Sequence, residues 1–322
     1  MKCTIVAVLA AACVVLLPGA SEAQQVSLLA GGISSRSDWP DSYAWSFSYR
    51  DQWSFAPHFS SSVAYLNQGH FPGHHRDGIT AEAWGQTNLL GDHLTVAVGA
   101  GPFRYYDTVS AGGGGSYSDH HGWAWIYSVD LTWQPRETGW FAELRADRTS
   151  PAKSIETTSI TLGGGYRFVM DHHATAESRD GGFDPSEATV FYGKTVVNSL
   201  NSQEAAAKAI EFRQRFSDRL RASAAFVNEG DPQLIRRSGI VAEGWLEPSF
   251  SGDRFSVGVG GGVYAAIDKY RATPGRHLSG IVTLTLSARL IDHLDARFNW
   301  HRIVTNYDRD TDVVLGGLGY RF

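Results

Sequence analysis

The sequence predicts an all-β chain folded as a transmembrane antiparallel β-barrel. Three observations carry this. Side chains alternate with period two through most of the chain, connections alternate between short and long, and the closing stretch LGGLGYRF (315–322) has a near copy, LGGGYRF, at 162–168.

The alternation is clearest in WAWIYSVDLTW, residues 123–133. One parity reads Trp123, Trp125, Tyr127, Val129, Leu131, Trp133; the other reads Ala124, Ile126, Ser128, Asp130, Thr132. An apolar face with aromatics at both ends, backed by a small and polar face, is the pattern of a strand with lipid on one side and a polar interior on the other. YAWSFSY (43–49) repeats it. Segments of this kind fall near 25–34, 42–51, 57–67, 78–89, 94–106, 122–134, 139–148 and 157–168. A second set falls near 188–198, 206–216, 218–228, 238–249, 254–267, 279–290, 293–302 and 312–322. The connections LLGDH, PRETG, FSGDR and LIDH are short, whereas NQGHFPGHHRD and DTVSAGGGGSYSDHH are long. Short turns on one side and longer loops on the other are expected of such barrels.

Ahead of the first strand, Lys2, the apolar run Ile5 to Leu17, Pro18 and the small-residue site ending at Ala23 form a secretory signal peptide over 1–23. The cysteines, Cys3 and Cys13, both lie within it, so the processed chain is expected to have no disulfide. After it, no stretch approaches the 18 apolar residues that a membrane-spanning helix needs. Against 28 Lys and Arg stand 33 Asp and Glu, a balance that argues against nucleic acid as a partner.

The second eight segments copy the first. Residues 77–107 align without gaps on 238–268, placing Gly78, Ile79, Ala81, Glu82 and Trp84 on Gly239, Ile240, Ala242, Glu243 and Trp245. Glu143 and Arg145 meet Asp295 and Arg297, and Gly165 to Phe168 meet Gly319 to Phe322. The domains expected are therefore a first half at 24–168, a polar connection at 169–187 and a second half at 188–322. Two architectures fit: one 16-stranded barrel of two fused halves, favoured because tandem barrels are rare, or two tandem 8-stranded barrels. Sixteen strands would leave an aqueous lumen, and eight would be filled by side chains.

The last strand, with terminal Phe322, Tyr320 two before it and Leu318 before that, resembles the C-terminal signature of bacterial outer-membrane barrels. That resemblance implies recognition by the barrel-assembly machinery, location in the cell outer membrane of a Gram-negative bacterium, and outer-membrane lipid as surroundings. Each half also broadly resembles an eight-stranded barrel of the lipid A deacylase type. That family carries a His-x-Ser pair on a late strand. Here His301 is present but Ile303 stands where Ser is required, and His58-Phe59-Ser60 and His277-Leu278-Ser279 lie on other strands.

Inward parity collects an expected lumen network: Glu82, Trp84, Glu143, Arg145 and Asp147 in the first half, and Glu243, Trp245, Asp295, Arg297 and His301 in the second. Alternating signs permit pairing, which buried charges require. The duplication of Glu82 and Trp84 points to a structural role, since a catalytic group need not appear twice. Gly99, Gly101, Gly260 and Gly262 are expected to make room for the indoles. A weaker expectation is a metal site where His70, His74, His75 and Asp77 in one long loop meet His120 and His121 in the next, since imidazole and carboxylate suit zinc, copper or nickel. No catalytic residue and no cofactor is assigned. The functional expectation is a porin-like passive channel for small solutes or a structural membrane protein. The alternative is a lipid-modifying hydrolase of the outer membrane. No residue pattern specifies an oligomeric state.

Overall fold

The computed structural model describes residues 24–36, 41–91, 93–110, 116–135, 138–168, 186–199, 202–217, 219–232, 235–268 and 275–322. Residues 1–23, the expected signal peptide, and nearly all of the 169–187 connection lie outside them. The chain divides into two compact units.

The first unit is built from β1 (Gln24–Ser35), β2 (Ser42–Gln52), β3 (Phe59–Phe71), β4 (His74–Leu89), β5 (Leu94–Ser110), β6 (Tyr117–Trp133), β7 (Trp140–Pro151) and β8 (Thr157–Phe168). Each strand pairs with its sequence neighbours, and β8 returns to β1 antiparallel, Phe168 opposite Gln24 and Thr157 opposite Ser35. The eight strands thus close on themselves.

The second unit has β9 (Glu187–Val197), β10 (Glu204–Arg215), β11 (Leu220–Asn228), β12 (Arg237–Leu246), β13 (Ser249–Phe250), β14 (Phe255–Asp268), β15 (Gly275–Ile291), β16 (Leu294–Val304) and β17 (Thr311–Arg321). Here β17 pairs with β9 and β12 pairs with β14, which again completes a ring of eight. The two-residue β13 is a short rung folded back on β14. Of the two architectures, the pairing therefore selects the tandem eights, and the 16-stranded ring gives way. A barrel edge needs only an antiparallel partner for its open N–H and C=O groups. In each half the strand that ends the repeat runs opposite to the strand that begins it, so the nearest partner closes the ring. The second half also starts one residue earlier than expected, because Glu187 pairs with Arg321.

The outward parity is apolar as the alternation requires. Trp125 and Trp133 on β6 are 56% and 53% exposed, Trp140 on β7 is 67% exposed and Tyr192 on β9 is 64% exposed. From Trp123 to Trp133, strand rise and tilt give an aromatic-to-aromatic height of about 25 Å, the height of the apolar band of a membrane barrel. Strands β4, β5 and β6, at 16, 17 and 17 residues, run beyond that band. The two histidine-bearing loops are therefore mostly strand: Phe71 pairs with His74 across a turn at Pro72 and Gly73, and β6 already begins at Tyr117.

Both units kink at the same place. Gly69 and Gly230 take positive φ values of 70° and 75°, and their N–H groups donate to the Oδ1 atoms of Asn67 (3.1 Å) and Asn228 (3.0 Å). Only glycine reaches this backbone region without strain.

Candidate functional site

The interior of each barrel holds the candidate site, because period-two pairing turns the charged parity inward. In the first barrel Trp84 is 1% exposed and donates its indole N–H to Ser62 Oγ at 2.8 Å. The guanidinium carbons of Arg50 and Arg145 lie 4.0 and 4.8 Å from the centre of its ring. Gly99, facing Trp84 across β4 and β5, leaves the necessary space: a Cβ there would sit 2.6 Å from the indole. Arg145 donates to Glu82 at 2.5 Å and to Asp147 at 2.7 Å, and Ser128 Oγ lies 2.6 Å from both carboxylates. Arg50 pairs with Asp130 at 3.1 Å, and Thr132 donates to that same carboxylate at 2.7 Å. Glu143 is buried in the same interior.

The second barrel repeats the indole but rewires the charges. Trp245 donates to Ser223 Oγ at 2.9 Å, Arg213 lies 3.9 Å from the centre of its ring, and Gly260 faces it as Gly99 faces Trp84. Glu243, however, does not take Arg297. It accepts from Thr283 at 2.6 Å, and the Thr283 hydroxyl is 2.7 Å from His301 Nδ1. Arg297 instead pairs with Glu187 at 2.6 Å and Glu247 at 3.3 Å. Glu247 also binds Arg213, which holds Glu211 at 2.8 Å, while Asp295 binds Arg321. Buried pairs of this kind offset desolvation only when their geometry and extra hydrogen bonds are good, so they select one arrangement more than they add stability.

A second pair of sites sits nearer the far end of each barrel. Arg76 donates to Gln68 (2.6 Å), Ser154 (3.0 Å), the Ile155 carbonyl (2.5 Å), Thr149 (3.1 Å) and Thr157 (2.7 Å), tying β4 to β7, β8 and the turn between them. Arg237 makes the same latch: Glu229 at 2.5 Å, the Arg309 carbonyl at 3.1 Å and Thr311 at 2.8 Å. Neither arginine belongs to the lumen network that inward parity predicts. The signal was present, since Arg76 and Arg237 stand one residue before the ungapped repeat.

The sequence thus places Glu82, Trp84, Arg145 and Asp147 in one cluster, and the structure brings them together. It links His301 to Glu243 through the Thr283 hydroxyl, but leaves Arg297 with Glu187 and Glu247, and Asp295 with Arg321. The histidines separate as well. His70 and His75 stack with ring centres 4.0 Å apart, whereas His74 pairs with Asp107 at 3.1 Å. His121 lies edge-on to Tyr106, and His120 is exposed. Among the described residues no group of three or more His, Cys, Asp or Glu side chains gathers to hold a metal ion.

At the chain end, Phe322 is 65% exposed against Phe212, and Tyr320 stacks on His293. Its internal counterpart Phe168 is buried.

No protein-family model and no curated protein matches the chain. Among solved structures it is similar to the N-terminal β-barrel domain of OprF from Pseudomonas aeruginosa, at 15% identity and TM-score 0.36, covering 46% of this chain and 98% of that one. Neisserial surface protein A matches at 14% identity and TM-score 0.37, covering 47% and 99%. The translocator domain of the autotransporter NalP from Neisseria meningitidis matches at 11% identity and TM-score 0.23, covering 100% and 95%.

Proposed function

We propose that the chain is an integral protein of a bacterial outer membrane whose two eight-stranded barrels serve a structural rather than a solute-conducting role. The observation that carries the membrane assignment is the outward aromatic-capped apolar band on closed barrels. In water, so much contiguous apolar surface would drive association, whereas in lipid it matches the bilayer core. Closure leaves no strand edge to be satisfied within hydrocarbon.

The structural reading rests on the filled interiors. Eight strands enclose a space just wide enough for side chains. The Arg50–Trp84–Arg145 stack occupies the first interior, the Arg213–Trp245 stack the second, and the Arg76 and Arg237 latches cross above them. The hydrolase alternative gains no support from this arrangement, since His301 is buried and its near hydroxyl belongs to Thr283, beside Glu243. The exposed Phe322 and Tyr320 suit recognition by the barrel-assembly machinery during insertion, and the surrounding partner is outer-membrane lipid. Planar-bilayer recording tests the role: the purified chain should give no stable conductance steps. Reproducible conductance with ion or solute preference would restore the porin-like reading.

A further inference from the structure

At the end of the second barrel where Glu187 begins the first strand and Arg321 ends the last, several arginines gather. Among the described residues, the pocket there is lined by Arg213, Arg215, Arg221 and Arg321, by Ser249, and by two carboxylates, Glu187 and Asp253. Glu187 is already held by Arg297 at 2.6 Å. Three of the four arginines have close carboxylates: Arg213 has Glu211 and Glu247, Arg215 has Asp253 at 3.2 Å, and Arg321 has Asp295.

Arg221 is the exception. Its side chain is 9% exposed, its Nε lies 3.5 Å from Glu247, and among the described residues that Nε has no hydrogen-bond acceptor. It donates one hydrogen bond, to Ser249 Oγ at 3.0 Å. Glu247 is shared with Arg213 and Arg297. A buried cation with a fraction of one counter-charge is costly, and a bound oxyanion would remove that cost through charge-assisted bonds to the guanidinium fork.

The duplication shows that the barrel itself does not require this charge. Arg213 and Arg321 correspond to Arg50 and Arg167 of the first barrel, but Arg215 and Arg221 correspond to the neutral Gln52 and Ser60. The first barrel closes without them. These two cations have therefore been placed on one barrel only, side by side at one mouth.

We propose that Arg221, Arg215 and Ser249 form a binding site for one oxyanion group, phosphate or carboxylate, of a soluble molecule reaching this mouth of the second barrel. The inward parity of Arg213, Arg221 and Glu187 directs the pocket to the barrel end rather than to surrounding lipid, so the site stands whether or not the membrane reading holds.

Inorganic phosphate titrated calorimetrically into the full chain, in zwitterionic detergent at low ionic strength, tests it. Saturable binding is expected, weakened roughly tenfold or more in Arg221→Gln and strengthened in Asp253→Asn, where a competing carboxylate on a 41% exposed side chain is removed. Gln52→Ala in the first barrel should leave affinity unchanged. Should Arg221→Gln fail to fold, the Asp253→Asn comparison decides alone. Absence of saturable binding, or affinity indifferent to both substitutions, overturns the proposal. Nanodiscs distinguish the source of the anion: phosphate affinity should be equal in phosphatidylcholine discs with and without phosphatidylglycerol. Displacement by phosphatidylglycerol would assign the site to a lipid headgroup and overturn the soluble ligand.

Discussion

The two barrels share one strand plan and are filled in opposite ways. At the same level, the first barrel turns Ser46, Thr80, Ser159 and Thr161 inward, where the second has Ala209, Val241, Val313 and Leu315. In the second these join Phe191, Val227, Tyr264, Ile281 and Ile303 in a continuous buried apolar cluster. The corresponding cluster of the first is smaller: Ala64, Leu66, Phe103, Tyr105, Ala124 and Ile126. The strand framework is therefore indifferent to whether this layer is hydroxyl-lined or dry. What it keeps is the indole in its glycine-lined slot, bonded to a serine, and an arginine latch that binds the residue eight before it, a backbone carbonyl and a threonine at the start of the last strand. The charges between them have drifted, because a carboxylate inside a barrel can reach several arginines and one new carboxylate, Glu247 at the place of Gln86, redraws the map.

Removing the central guanidinium tests that drift with the largest effect. Arg145→Leu strands Glu82 and Asp147 in the first barrel, and Arg297→Leu strands Glu187 in the second. Each should cost about 3–5 kcal/mol. Strand-resolved hydrogen exchange in detergent should show loss of protection confined to the barrel that carries the substitution. Loss in both together would mean the halves do not unfold as separate units. A smaller effect probes what was kept. Gly99→Val and Gly260→Val each push a Cβ into an indole from the same distance, and should cost about 1–3 kcal/mol each, equally; heat-modifiable gel mobility would follow this. An unequal pair would break the equivalence of the two slots. The smallest effect concerns the filled layer. Thr80→Val, which copies the second barrel and gives up one bond to the Pro102 carbonyl at 3.1 Å, should cost no more than about 1.5 kcal/mol in urea unfolding. The reverse change Val241→Thr, which buries a hydroxyl in the apolar cluster, should cost more, about 1–3 kcal/mol.

Much of this was legible in the residues. Trp123 to Trp133 announce their faces because a strand alternates strictly, and Glu82, Arg145 and Asp147 could be grouped because equal parity on neighbouring strands brings charges together. Arg76 and Arg237 were overlooked because they stand above the polar layer, among residues that read as loop. The histidines were misplaced for the same reason: hydrogen bonding carries β3 and β4 almost to the tip of what composition alone presents as a polar connection.

The sequence by itself determined the strand pattern, the inward and outward faces, and the internal repeat of residues, since all three are local or periodic properties of the chain. Only the tertiary structure decided the ring size and the ion-pair map. Both eight- and sixteen-strand closure satisfy every backbone hydrogen bond, and Glu243 and Glu82 occupy one repeat position with different partners. The choice in each case falls to the neighbour closest in space, which no spacing along the chain records.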